Sequence, residues 1–281
     1  MKKIFYSILI FLLILLNFST VCADDVDNEV DFEDTIEVTA SNVSELPKTN
    51  SRRYIVYDRI SKSMIIGKNE DVKSAMASTT KIMTSIVILE KADLDEMVTV
   101  SAKAGGTGGS RLGLKKGDMA SVKNLLYGLM LRSGNDAAVA LAEHVGGSVK
   151  EFAELMNEKA SELGLTNTHF VTPHGLDDAN HYTTALELAK LTDYAMNNKT
   201  FSKIVGTKSI TIYINNQPRQ INNTNELLGA LNGVVGVKTG FTNNAGRCLV
   251  TETKRNNMDI ITIVLGADTK KDRTKDSVNL I

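Results

Sequence analysis

The chain carries only two cysteines, Cys22 and Cys248. If the first leaves with a leader, no intramolecular disulfide can form, and the fold must rest on its apolar core. Cys248 falls in a strand-like stretch, 246–253, and reads as a small buried hydrophobe without chemistry of its own. Charge of one sign is also missing: 32 Lys and Arg against 33 Asp and Glu give a formal net charge of -1, so the basic excess of a nucleic-acid binder is absent. No His-Glu-x-x-His occurs, and the spacing of His169, His174 and His181 fits no zinc pattern, so these read as loop histidines with local hydrogen bonds. Gly-x-Ser-x-Gly is absent too, which excludes a Ser-His-Asp hydrolase built on a nucleophile elbow. The glycine-rich run 105–110 is followed by Arg111-Leu112-Gly113 where a phosphate loop needs Gly-Lys-Ser/Thr, which argues against nucleotide binding.

Long hydrophobic runs are lacking as well. The longest, residues 4–16 behind Lys2 and Lys3, is shorter than the roughly 20 residues of a membrane span and is followed by Val21-Cys22-Ala23. Residues 1–23 therefore read as an export signal cut before Asp24, with an uncleaved anchor as the alternative; a lipoprotein reading through Cys22 is disfavoured by Ser19-Thr20-Val21. Residues 24–51 are acidic, poor in large hydrophobes and aperiodic, which suits a disordered spacer. The folded domain is expected over 52–281, a length sufficient for one large domain.

What is present centres on Ser78-Thr79-Thr80-Lys81. Residues three apart share a helix face, so the Lys81 amine can reach the Ser78 hydroxyl. Such a lysine becomes a base only where burial or a second cation lowers its pKa. Ile82, Met83, Ile86, Val87, Ile88 and Leu89 supply the burial, since they leave the helix almost no polar face. Alone, the motif reads better as a serine cap before a solvated lysine. Two further motifs decide against that: Ser133-Gly134-Asn135 after a helical stretch at 121–132, and Lys238-Thr239-Gly240 inside a strand-like run at 234–241. Their combination, S-x-x-K with S-D-N and K-T-G, marks class A β-lactamases and penicillin-binding proteins, and here Gly134 stands at the middle position of the second motif.

On these residues, with His174-Gly175-Leu176 and Ala245-Gly246 beside them, the chain from about residue 54 onward resembles the serine-type D-alanyl-D-alanine carboxypeptidases, the low-molecular-mass penicillin-binding proteins. The resemblance implies an α/β (α+β) fold: a largely antiparallel five-stranded sheet flanked by helices, beside an all-helical subdomain, with the site between them. Pattern alone agrees. Strand-like segments at 53–58, 63–67, 207–214, 234–241, 247–253 and 258–266 bracket helical periodicity at 122–131, 137–145, 149–163 and 184–197, with a turn expected at 216–218.

The resemblance further implies roles. Ser78 would be the acylated nucleophile and Lys81 its base; Ser133 would relay a proton to the leaving amine, and Asn135 would bond Lys81 and the substrate amide. Lys238, Thr239, Gly240 and Phe241 would line the substrate strand, with the backbone N–H groups of Ser78 and Phe241 as the oxyanion hole and Thr239 and Arg273 on the substrate carboxylate. The implied substrate is a peptidoglycan stem peptide ending in D-Ala-D-Ala, hydrolysed without metal or organic cofactor, with β-lactams as covalent inhibitors of an exported enzyme. A class A β-lactamase would need a glutamate near 169–174, where Phe170-Val171-Thr172-Pro173 stands; Glu154 lies in the periodic helix 149–163 instead. A catalytically silent wall-binding or β-lactam-sensing domain is the other alternative, although both nucleophile and base are kept. Larger family members continue into a β-domain and a C-terminal membrane anchor; neither is expected here, where 270–281 reads as a final helix.

Overall fold

The computed structural model describes residues 46–281, so the expected export signal and most of the expected spacer lie outside the described residues. The spacer's last residues do not behave as one. Ser51 is fully buried, and the backbone N–H groups of Asn50 and Ser51 donate to the Asp276 carboxylate at 2.9 and 2.7 Å. Packing therefore begins just ahead of residue 52.

Five antiparallel strands form the main sheet: β1 (Arg53–Asp58), β2 (Ser63–Lys68), β7 (Val234–Thr242), β8 (Gly246–Arg255) and β9 (Met258–Ala267), in the order β2-β1-β9-β8-β7. The period of two in β1 sorts its side chains onto the two faces. Tyr54 and Val56 join Ile260, Val264 and Leu280 of the terminal helix α8 (Lys270–Leu280), while Ile55 and Tyr57 enter the main core on the other side. Both faces are thus covered, which is why β9 reads as a nearly continuous apolar run and why β8 is buried along most of its length even though it carries Thr251, Glu252 and Thr253.

Between β2 and β7 the chain makes the helical part: α1 (Lys81–Lys91), the one-turn α2 (Ala102–Gly105), α3 (Val122–Leu131), α4 (Asn135–Gly146), α5 (Val149–Glu162), α6 (Ala185–Met196) and α7 (Lys199–Val205). The starts follow from capping chemistry. Ser101, Ser121, Ser148, Thr184, Asn198 and Thr269 each accept a first-turn N–H of the helix that follows. Helix α5 shows the ordinary amphipathic split, burying Phe152, Ala153, Met156 and Ala160 while Glu151, Glu154 and Glu158 face water. Helix α1 does not: from Lys81 to Ile88 every residue is buried, placing it at the centre of the molecule.

Two short ribbons accompany the helices, β3 (Met97–Thr99) with β4 (Met119–Ser121), and β5 (Ser209–Ile214) with β6 (Gln217–Asn222). The turn expected at 216–218 instead falls on Asn215 and Asn216, both at positive φ, and Pro218 stands inside β6 opposite Tyr213. A two-stranded ribbon tolerates it because an edge position need not donate a ladder hydrogen bond.

Candidate active site

The Ser78-Thr79-Thr80-Lys81 motif opens in a 3-10 turn, Ala77–Thr80, and only at Lys81 does the α-helix begin. The tighter turn still lets Lys81 Nζ reach Ser78 Oγ at 2.8 Å. Ala77, directly before the serine, has φ +47, a conformation that costs a residue with a Cβ and persists only where the surroundings impose it. The clamp is visible. Thr80 Oγ1 donates to Ala77 O at 2.8 Å and lies 2.7 Å from His181 Nε2, while His181 Nδ1 accepts the Val171 N–H at 3.0 Å. Since Nδ1 accepts, the ring proton sits on Nε2, giving a chain His181 Nε2–H to Thr80 to Ala77. Burial lowers the His181 pKa to about 4, so the ring is neutral as this chain requires. From the other side comes Gly175 at φ +84; a Cβ there would stand 1.9 Å from Ala77 O, so no larger residue fits.

Lys81 is fully buried, and Nζ has two further partners, Asn135 Oδ1 at 2.8 Å and His174 O at 2.9 Å. Asn135 Nδ2 donates to Gly108 O at 2.8 Å, which turns its oxygen toward the lysine. Carbonyl oxygens can only accept, so these two take N–H groups from the amine. A neutral amine has two such protons and one lone pair, and the lone pair is left for the Ser78 hydroxyl. Burial first, and the Lys238 cation second, hold the Lys81 amine well below its usual pKa, against an opposing pull from Asp136.

Ser133 lies at φ +56 between α3 and α4, lining the cleft with Asn135 and Ser78. Asp136 behind it is fully buried and accepts the N–H groups of Leu112, Gly113 and Leu114 at 2.8, 2.7 and 2.9 Å, which fastens the strap following the glycine-rich run. That run closes on Asn135 twice, through Gly108 O and through Ser110 O, which accepts the Asn135 N–H at 2.8 Å. Edge strand β7 forms the opposite wall. Gly240 allows its backbone to approach Ser78, since a Cβ there would sit 3.0 Å from Ser78 N. Thr239 shares a 2.7 Å hydrogen bond with Thr224, and Lys238, almost fully buried, donates to Thr239 O at 2.9 Å. The Phe241 ring carries Arg247 on one face, 3.8 Å from its centroid.

The structure brings Ser78, Ser133, Asn135, Thr239, Gly240, Phe241 and Arg273 onto one cleft, with Lys81 and Lys238 buried behind it. Arg273 is buried rather than a solvated surface arginine, in reach of Glu226 at 3.7 Å. Sequence reasoning missed His174 O, Gly175, Asp136, Thr224 and Arg132. Asp136 adjoins the Ser-Gly-Asn motif, and His174-Gly175 was visible as a motif without a role; Thr224 and Arg132 left no local signal. Glu154 is exposed on α5, and the loop that reaches Lys81 offers a carbonyl, not a carboxylate. His169 Nδ1 bonds Asn180 O at 2.6 Å and His174 Nδ1 accepts the Leu176 N–H at 3.2 Å, so these two hold local loop geometry as expected, whereas buried His181 also reaches across the fold to Thr80. Among the described residues, no group of three His, Cys, Asp or Glu is placed to hold a metal ion, and no helix is long and apolar enough to cross a membrane.

Residues 39–269 match a family model described as D-alanyl-D-alanine carboxypeptidase. The chain is 38% identical over 225 residues to D-alanyl-D-alanine carboxypeptidase DacF of Bacillus subtilis, covering 78% of this chain and 58% of the relative. To DacC of Escherichia coli, of the same description, it is 38% identical over 266 residues, covering 86% of this chain and 63% of the relative. It thus spans less than two thirds of the length of either protein. The crystal structure of the Streptomyces K15 DD-transpeptidase matches with a TM-score of 0.80 at 34% identity, covering 83% of this chain and 96% of that one.

Proposed function

Because this chain belongs to the D-alanyl-D-alanine carboxypeptidase family, we propose that it removes the terminal D-alanine from peptidoglycan stem peptides through a Ser78 acyl-enzyme. The observation that carries the reading is the hydrogen-bond count at Lys81: two fixed acceptors and one hydroxyl around a buried amine, which suits a lysine acting as base.

In the proposed reaction, Ser78 Oγ attacks the carbonyl of the penultimate D-alanine as its proton passes to Lys81. The backbone N–H groups of Ser78 and Phe241 hold the oxyanion; losing one such donor costs roughly 10²–10³ in rate in other acyl-transfer enzymes. The C–N bond breaks as Ser133 passes a proton to the departing D-alanine amine, and Asn135 holds the substrate amide. Lys238, Thr239 and Arg273 receive the terminal carboxylate. Water then attacks the ester and frees Ser78. β-Lactams would acylate the same serine and leave slowly, because the opened ring stays attached. The domain assignment, with residues 1–23 as an export signal ahead of a domain from about residue 52, and action outside the cytoplasm belong to the same proposal. The likeness to a DD-transpeptidase supports a second reading, in which an amine rather than water takes the acyl group.

Intact mass against time, with benzylpenicillin and a Ser78→Ala control, tests the reading. A long-lived adduct absent from the control is expected. Rapid drug hydrolysis without a lasting adduct would make the protein a β-lactamase, and neither adduct nor hydrolysis would make it a silent domain.

A further inference from the structure

The cleft has an electrostatic axis. Among the described residues, the charged side chains lining it are Arg132, Arg273 and Asp177. The arginines belong to one end, Arg273 lying 3.7 Å from Glu226, two residues beyond Thr224. Arg132 follows Leu131, whose carbonyl accepts the Thr224 N–H at 3.1 Å, and Thr224 is bonded to Thr239; buried Lys238 adjoins the same end. Asp177 belongs to the other. Its carboxylate accepts from Thr242 Oγ1 at 2.6 Å, three residues along β7 from Thr239, and its side chain remains exposed. Arg247 lies over the Phe241 ring and is not among the lining residues.

The outer edge of β7 is unpaired, because β7 ends the sheet. A peptide laid antiparallel along that edge, with its terminal carboxylate at Thr239 and its scissile bond beside Gly240 and Ser78, advances about 3.4 Å per residue. The residue preceding the D-Ala-D-Ala unit then comes level with Thr242 and Asn243, beside Asp177. Resting on the carboxypeptidase reading, we propose that Asp177 is a specificity residue that selects peptides with a cationic side chain at this position. A carboxylate at one end and an ammonium at the other match the two ends of the cleft.

Two peptides test this: Nα-acetyl-L-Lys-D-Ala-D-Ala with a free ε-ammonium, and its Nε-acetylated counterpart. D-Alanine release gives kcat/KM for each, and the readout is their ratio within one variant, so that a loss shared by both peptides cancels. The wild type is expected to favour the charged peptide by about fivefold, the size of one partly solvated ion pair, and less in 0.5 M salt. Asp177→Asn, which can keep an acceptor for Thr242, should bring the ratio near one, and Asp177→Lys should invert it. A wild type indifferent to the charge, or a preference that survives in Asp177→Asn, overturns the proposal and leaves Asp177 as a tie between loop and strand. Release from neither peptide sinks the carboxypeptidase reading, and this proposal with it; equal release from both sinks this proposal alone.

Discussion

Asp136→Asn replaces one carboxylate oxygen of a fully buried side chain by an NH2 group and should unsettle the wall of the cleft. In the native protein Oδ1 accepts the N–H groups of Leu112 and Ala137 at 2.8 and 2.9 Å, and Oδ2 accepts those of Gly113 and Leu114 at 2.7 and 2.9 Å. Asparagine has one oxygen, so two N–H groups would face an amide that donates. Hydrogen bonds to a charged acceptor contribute about 1.5–3 kcal/mol each, so losing two costs about 3–6 kcal/mol. Relief of a buried carboxylate works the other way, so a value near the lower bound, about 3 kcal/mol, is expected. That is a large share of the 5–15 kcal/mol typical of a folded domain. Urea unfolding should show a lower midpoint at unchanged slope, with faster amide exchange at residues 112–114. The variant also removes the anion that raises the Lys81 pKa, so the acid limb of penicillin acylation should move to lower pH. A stability loss under about 1 kcal/mol would refute the hydrogen-bond account, whose smallest value lies well above it. An unmoved acid limb would refute the electrostatic one.

Lys238→Gln should move that limb the opposite way. Removing the second cation lets the Lys81 pKa rise, so a smaller neutral fraction remains at a given pH and acylation fails earlier on acidification; a profile lower in amplitude but unshifted would show that Lys238 serves only binding. Stability should also fall in acid through the buried histidines. The folded pKa values of His181 and His174, about 4 and about 3, lie below the unfolded value near 6.5, so their contribution is complete above pH 6.5 and is lost as pH falls toward 4. The slope should reach about 1.4 kcal/mol per pH unit for each histidine in that window. His181→Asn, titrated by urea unfolding from pH 7 to 4, should lose one proton's share of the slope; the same slope in both proteins would disprove the assignment.

Sequence gave away the parts of the site whose chemistry depends on side-chain type. A serine and a lysine three residues apart at the start of an apolar helix, and a glycine in a strand-like run downstream, are local facts about Ser78, Lys81 and Gly240. The apolar stretch that announced β1 and the helical periodicity that announced α3 and α5 were equally local. What stayed hidden depends on distant backbone. The carbonyl of His174 is a group every residue has, so nothing in its letter marks it as a ligand of Lys81. The positive φ of Ala77 is imposed by His181 and Gly175 from about a hundred residues away. Arg273 was singled out by the family resemblance alone, because its burial depends on α8 folding against the sheet. Pro218 misled because a proline usually marks a turn, whereas the two asparagines before it supply the positive φ that this hairpin needs.

In the main sheet the middle strand is the last in sequence. β9 lies between β1 and β8, so a chain made only as far as β8 holds two separate ribbons, β1 with β2 and β7 with β8, and nothing to join them. Isolated ribbons are marginal in water, and contacts spanning some two hundred residues form late. The wall that brings Gly240 against Ser78 belongs to one ribbon, while the 3-10 turn bearing Ser78 follows the other. The two walls of the cleft are therefore joined only once β9 is in place, and a chain made as far as β8 carries Ser78 without the wall that faces it.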